Sequence, residues 1–183
     1  VLEKTVMSVP GGALVVVSLA VAVSGSQTPA PTPGIHYTPT RHAIADAMLQ
    51  LAMVGPADIV FDLGSGDGRI PIIAAQKYGA RGVGVELDAR LVEQSQQNAR
   101  DAGVADRVTF IRADLFTADI STATVVALYL SPSMNRELVP KLQKELKPGT
   151  RVVSHQFPIP GWTPDRRATH DEAEIFLYRV SAR

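Results

Sequence analysis

The chain has 183 residues, enough for one globular domain around a buried sheet, with 45% apolar and 20% charged content in the range of folded proteins. Its 18 basic residues balance its 18 acidic ones, which removes any overall electrostatic drive toward nucleic acid or an anionic membrane. The absence of cysteine excludes a disulfide framework, a thiolate metal site and a cysteine nucleophile.

Val6 to Val23 form a nearly uncharged run with Leu14, Val15, Val16, Val17, Leu19, Val21 and Val23 as its apolar body. Glu3 and Lys4 precede it, and the small residues of Ala22-Val23-Ser24-Gly25 follow. Residues 1–25 are therefore expected to be a signal peptide or a membrane anchor, with a plain hydrophobic tail as the third reading. A membrane-associated or exported protein is the expected consequence. Residues 26–35, with Pro29, Pro31 and Pro33 alternating, read as a semi-extended spacer, and the folded domain is expected over residues 36–183.

Within that domain Ile44, Ala45, Met48, Leu49 and Ala52 recur at helical spacing, which predicts a helix from Thr40 to about Met53, stopped by Gly55-Pro56. Ile59-Val60-Phe61 predicts a strand that breaks into Gly64, Gly66 and Gly68, after which Ile70, Ile72 and Ile73 begin a helix. The order then recurs. Strands are expected at Gly82–Val85, Arg107–Ile111, Val125–Leu130 and Arg151–Ser154. Helices are expected at Ala89–Ala102, capped by Asp88, and at Asn135–Leu146, bent at Pro140. Beyond His155, prolines forbid a helix, and Arg167–His170 with Glu174–Val180 suit a closing hairpin. Strands alternating with helices imply an α/β fold with a mostly parallel sheet, helices on both faces and an antiparallel C-terminal edge.

In such a sheet, ligands bind beyond the carboxyl ends of the strands where strand order reverses. The first strand ends in Asp62-Leu63-Gly64-Ser65-Gly66-Asp67-Gly68-Arg69. A dinucleotide fingerprint needs G-x-G-x-x-G, and Arg69 stands where its third small residue belongs. Asp62 and Asp67 put negative charge where a pyrophosphate would sit, which disfavours phosphate and suits a ligand carrying an ammonium and a sulfonium. Glu86 follows the second strand at about the distance at which a carboxylate accepts both ribose hydroxyls. Asp114 follows the third, with the reach to accept from an adenine amino group, and Leu115 and Phe116 can cover the ring. Taken singly Glu86 or Asp114 is better explained as a solvated loop carboxylate; with Asp62, at successive strand ends, they form a constellation.

Val60 to Gly68 resembles motif I of class I S-adenosylmethionine methyltransferases, and Gly84-Val85-Glu86 and Arg112-Ala113-Asp114 resemble the next two motifs. From about Tyr37 to Asp165 the chain is similar to the small lysine methyltransferases that act on adenine nucleotide translocase and on the c-ring protein of ATP synthase. The likeness rests on Tyr37-Thr38-Pro39-Thr40, Leu128 to Pro132, Leu146 to His155, and Trp162. The resemblance implies a seven-stranded Rossmann-like sheet, S-adenosylmethionine as cofactor and a protein lysine as acceptor. It implies that Asp62 and the turn of Gly64, Ser65, Gly66 and Gly68 hold the methionine end. Glu86 would hold the ribose, Asp114 and Leu115 the adenine, and Tyr37 and Thr40 would close over the cofactor. Tyr129-Leu130-Ser131-Pro132 departs from the Asn- or Asp-Pro-Pro-aromatic pattern of many nucleobase and glutamine methylators, which argues against those substrates.

A lysine acceptor must lose a proton before attack, and Tyr129 and His155 are the candidates to line its channel or assist that step. Both are equally well explained as packing residues, as are Phe157 and Trp162. The four histidines are too scattered for metal spacing, so no metal and no nucleic-acid partner are expected. A cofactor-binding module without turnover and a nucleotide-dependent oxidoreductase remain the competing readings.

Overall fold

The computed structural model describes residues 38–182. The elements run α1 (His42–Leu51), β1 (Ile59–Leu63), α2 (Arg69–Tyr78), β2 (Arg81–Glu86), α3 (Ala89–Asp101) and β3 (Val108–Arg112). They continue with β4 (Val125–Leu128), α4 (Pro132–Glu145), β5 (Arg151–His155), β6 (Arg166–His170) and β7 (Ala173–Arg179). Seven strands form one sheet in the order β3-β2-β1-β4-β5-β7-β6, parallel throughout except that β7 runs antiparallel to both β5 and β6. The strand order reverses at β1, between β2 and β4, as the expected fold class requires.

Alternation along β1 sorts the core into two layers. Val60 joins Ile44, Met48, Leu49, Ile70 and Ile73 under α1 and α2, while Phe61 and Leu63 join Leu138 and Leu142 of α4 on the other face. Asp62, two residues on from Val60, therefore points to the α1 and α2 side. A third cluster, with Ile72, Val92, Val108 and Phe110, seats α3 beside α2.

The helix starts obey local chemistry. Asp88 caps α3 by accepting from Arg90 N at 2.9 Å, and Ser131 caps α4 by accepting from Met134 N at 3.3 Å. Pro132 at the first turn of α4 gives up an amide that has no helical partner anyway, so α4 begins three residues earlier than periodicity predicts and runs through Pro140. That early start shortens β4, which ends at Leu128 rather than Leu130 and leaves Tyr129 just beyond the strand.

One expectation is corrected. Among the described residues no helix is long and apolar enough to cross a membrane, which overturns the expected membrane-associated or exported protein. The Val6–Val23 run that prompted the expectation lies outside the described residues, as does the spacer.

Candidate active site

The turn after β1 is pinned to β2. Gly64 N and Ser65 N both donate to Val85 O, at 2.8 and 3.0 Å, and Gly68 N closes the turn on Ser65 O at 2.9 Å. Gly64 has φ +83°, a left-handed conformation that costs a side-chain-bearing residue about 1 kcal/mol or more. A Cβ there would stand 3.3 Å from Leu130 Cδ2 and 3.9 Å from Leu115 Cδ2, so the bare backbone of Gly64 lies open between two leucines. Gly68 serves packing as well as turning. A Cβ on it would meet Phe110 Cε1 at 2.5 Å and Ser95 Cβ at 2.7 Å, because β3 and α3 close directly on the turn. Ser65 is buried, and among the described residues its Oγ has no hydrogen-bond partner.

Glu86 ends β2 and is held by three amides. Its Oε2 accepts from Gly66 N at 2.9 Å, and its Oε1 accepts from Leu87 N at 2.8 Å and Asp88 N at 2.9 Å. Such a network fixes the carboxylate before any ligand arrives.

Asp62 is 4% exposed, and among the described residues no hydrogen bond reaches its carboxyl. Burial first, then the nearby charges of Glu86 and Asp67, push its pKa up to about 8, against a smaller opposing pull from Arg69. A buried acid with no donor is an unmet demand for a cation. The site therefore passes a simple test of fit to S-adenosylmethionine: a cradle open for want of a Cβ, beside an acid suited to an ammonium.

Asp114 lies two residues past the end of β3, exposed, with its Oδ1 accepting from Phe116 N at 2.9 Å. Ala113 N donates to Glu86 O at 3.0 Å, which brings this loop beside Glu86, and Leu115 Cδ2 would stand 3.9 Å from a Cβ on Gly64. Asp62, Glu86 and Leu115 thus stand at one turn, with Asp114 next to Leu115 in the adjoining loop.

A second cluster forms at the ends of β4 and β5. Tyr129, half-buried, stacks on His155 with ring centroids 4.0 Å apart and planes inclined by 33°. His155 Nδ1 lies 3.4 Å from Thr40 Oγ1, and burial, with a smaller contribution from Arg41, lowers its pKa to about 4. The imidazole is therefore neutral near pH 7. Thr40 is also bound through its backbone: Arg69 Nη1 donates to Thr40 O at 2.8 Å while Nε and Nη2 grip Asp67. Tyr37 lies outside the described residues. Trp162 is no part of this site; it meets Tyr178 edge-on at 5.9 Å and packs the crossover into β6.

Two features escape sequence reasoning. Along the chain Arg69 is only the residue that spoils a dinucleotide fingerprint, whereas in the fold it ties the entry to α1 onto the glycine turn. Leu130, expected as strand, walls Gly64.

Residues 62–166 match the family described as the ANTKMT methyltransferase domain. The chain is 46% identical over 133 residues to a protein-lysine N-methyltransferase of Saccharolobus islandicus, covering 72% of this chain and 83% of that one. It is 40% identical to a lysine N-methyltransferase of Mus musculus that acts on the c-ring protein of ATP synthase, over 66% of this chain, and spans only 49% of that relative's length. Among solved structures, an RNA methyltransferase from Salinibacter ruber in complex with S-adenosyl-L-homocysteine superposes with a TM-score of 0.79 at 50% identity, over 80% of this chain and 95% of that one. A fold with the strand order described above, a glycine turn flanked by fixed acids, and these likenesses lead to one conclusion: the chain belongs to the ANTKMT methyltransferase domain family and is an S-adenosylmethionine-dependent methyltransferase.

Proposed function

We propose that the chain methylates the ε-amine of a lysine in a protein, with residues 36–183 as its catalytic domain. The observation that carries the cofactor half of this reading is Asp62, a buried carboxyl without a hydrogen bond among the described residues, set beside the turn that Gly66 and Glu86 lock in place. In this reading Asp62 and the backbone of Gly64, Ser65, Gly66 and Gly68 receive the methionine end. Glu86 takes the ribose hydroxyls, and the loop of Asp114 and Leu115 takes the adenine. Thr40 and Tyr37 would close over the cofactor, as the resemblance implies. The cofactor, once bound, supplies an electrophilic methyl group open to in-line displacement.

The residues of this chain align and desolvate the acceptor rather than react with it. Lysine ordinarily ionises near pH 10.4, and a half-buried channel favours its neutral form. In this reading Tyr129 and His155, stacked on each other, line the path of the acceptor. His155, held near pKa 4, is too weak a base to keep the proton, so it orients the amine as an acceptor while the proton leaves to water. Support for lysine comes from the archaeal and mouse relatives, both named as lysine methyltransferases.

A second reading is RNA methylation, favoured by the description of the Salinibacter ruber relative. The balanced charge of the chain speaks against it, since RNA binding draws on clustered basic residues. Incubating the protein with lysate and cofactor labelled in its methyl group separates the two: label in protein, removed by Asp62→Ala or Glu86→Ala, supports the first reading, and label in RNA alone supports the second.

A further inference from the structure

Just past β5 the backbone does something that cofactor binding does not require. Phe157 N donates to His155 O at 2.8 Å across Gln156, whose φ is +65°. This is the γ-turn with a left-handed central residue, the rare and strained kind, and strain of this sort persists only where surrounding groups hold it.

Three bonds do so. Ser154 Oγ donates to Phe157 O at 2.6 Å, and Asn135 Nδ2, from α4, donates to the same oxygen at 3.2 Å. Gln156 N donates to Glu174 O of β7 at 2.7 Å. Asn135 and Ser154 are both fully buried, and serving Phe157 leaves Asn135 Oδ1 with no donor among the described residues. An unpaired buried acceptor costs about 1–3 kcal/mol, whereas an apolar side chain of similar volume would carry no such penalty and would leave Phe157 O still bonded to Ser154. Stability alone does not explain this asparagine. Departures from local rules of this kind gather at functional sites.

The residue at the head of the turn is His155, stacked on Tyr129 and bonded to Thr40. Tyr129 follows β4 and His155 is the last residue of β5, across β1 from Glu86, which is the side left for an acceptor. We propose that Asn135 and Ser154 are positioning residues for methyl transfer: by gripping the Phe157 carbonyl together they hold the Gln156 turn that aims His155 at the methyl acceptor. The inference rests on the site being a methyl-transfer centre.

The test uses the full chain with Asn135→Leu, which removes the donor and the unpaired acceptor together, and Ser154→Ala. Three quantities are read: kcat for methyl transfer, the Kd for S-adenosyl-L-homocysteine, and the NMR signals of the His155 ring. The expected result is a fall in kcat of about tenfold for Asn135→Leu and about threefold for Ser154→Ala, with Kd within about twofold and the ring signals displaced in both. Asn135→Leu is expected to unfold no earlier than the parent, which a merely structural asparagine would not permit. Unmoved His155 signals overturn the proposal whatever the rate does, and so does a loss of kcat that only follows a loss of cofactor affinity. Should Asn135→Leu not fold, Ser154→Ala decides alone. If the parent chain transfers no methyl group, the functional reading fails, and the ring signals still decide whether the clamp holds His155.

Discussion

Thr40 Oγ1 stands 3.4 Å from His155 Nδ1 while the carbonyl of the same threonine accepts from Arg69 at 2.8 Å, so one residue at the entry to α1 joins the glycine turn to the end of β5. A cofactor half and an acceptor half that share such a joint should respond together when it is cut. Thr40→Val keeps the shape and removes the hydroxyl. It is expected to lower kcat several-fold while changing stability by only about 1 kcal/mol, read from methyl-transfer kinetics and chemical denaturation. Arg69→Met, which releases both Thr40 and Asp67, is expected to weaken S-adenosyl-L-homocysteine binding by roughly tenfold.

Asp62 predicts a definite pH dependence. Its pKa is raised from 3.8 to about 8 in the folded protein, so the folded state holds a proton that the unfolded state releases. Its contribution to stability therefore falls as pH rises from about 4 to about 8. Cofactor affinity should run the other way, since the ammonium selects the ionised carboxyl and binding expels its proton. Calorimetry near pH 6.5 in buffers of different ionisation heat is expected to show release of about one proton, with affinity rising to a plateau above pH 8. Asp62→Asn should abolish both the release and the slope.

Glu86 and Asp62 are coupled, because the charge of Glu86 is the second largest cause of the raised pKa of Asp62. Glu86→Gln is expected to weaken S-adenosyl-L-homocysteine binding by about 10- to 100-fold through loss of a charged acceptor to the ribose. It should also move the pH midpoint of residual binding downward. Unchanged affinity would mean that the carboxylate serves only the Gly66, Leu87 and Asp88 amides.

Gly68 and Gly149 make a matched pair for stability. Both have left-handed φ, +80° and +87°, but a Cβ on Gly68 would strike Phe110 at 2.5 Å, whereas one on Gly149 would meet nothing within 4 Å. Gly149→Ala should cost about 1 kcal/mol, the backbone penalty alone. Gly68→Ala should cost about 2–4 kcal/mol, because β3 must also yield. Urea denaturation of the two variants makes the comparison.

The order and type of every described element follow from periodicity and from Gly, Pro and cap residues, because a buried parallel sheet leaves each strand a short apolar run between helices of longer period. Boundaries differ where local chemistry outweighs periodicity, as at Ser131 and Pro132, which start α4 early and free Tyr129 from β4. The places of the acids could be read along the chain because each stands at or just past the end of its own strand. Arg69, Leu130 and the Asn135 clamp were not, since their partners, Thr40, Gly64 and Phe157, are brought near only by folding, and no spacing along the chain encodes such a meeting.

Peptide-resolved mass spectrometry of lysate proteins methylated by the chain from isotopically labelled S-adenosylmethionine tests the central claim most directly. The predicted result is labelled methyl on lysine side chains of a small set of proteins, absent with Asp62→Ala and with Glu86→Ala. Label confined to RNA, or intact binding of S-adenosyl-L-homocysteine with no label in any protein, would contradict it.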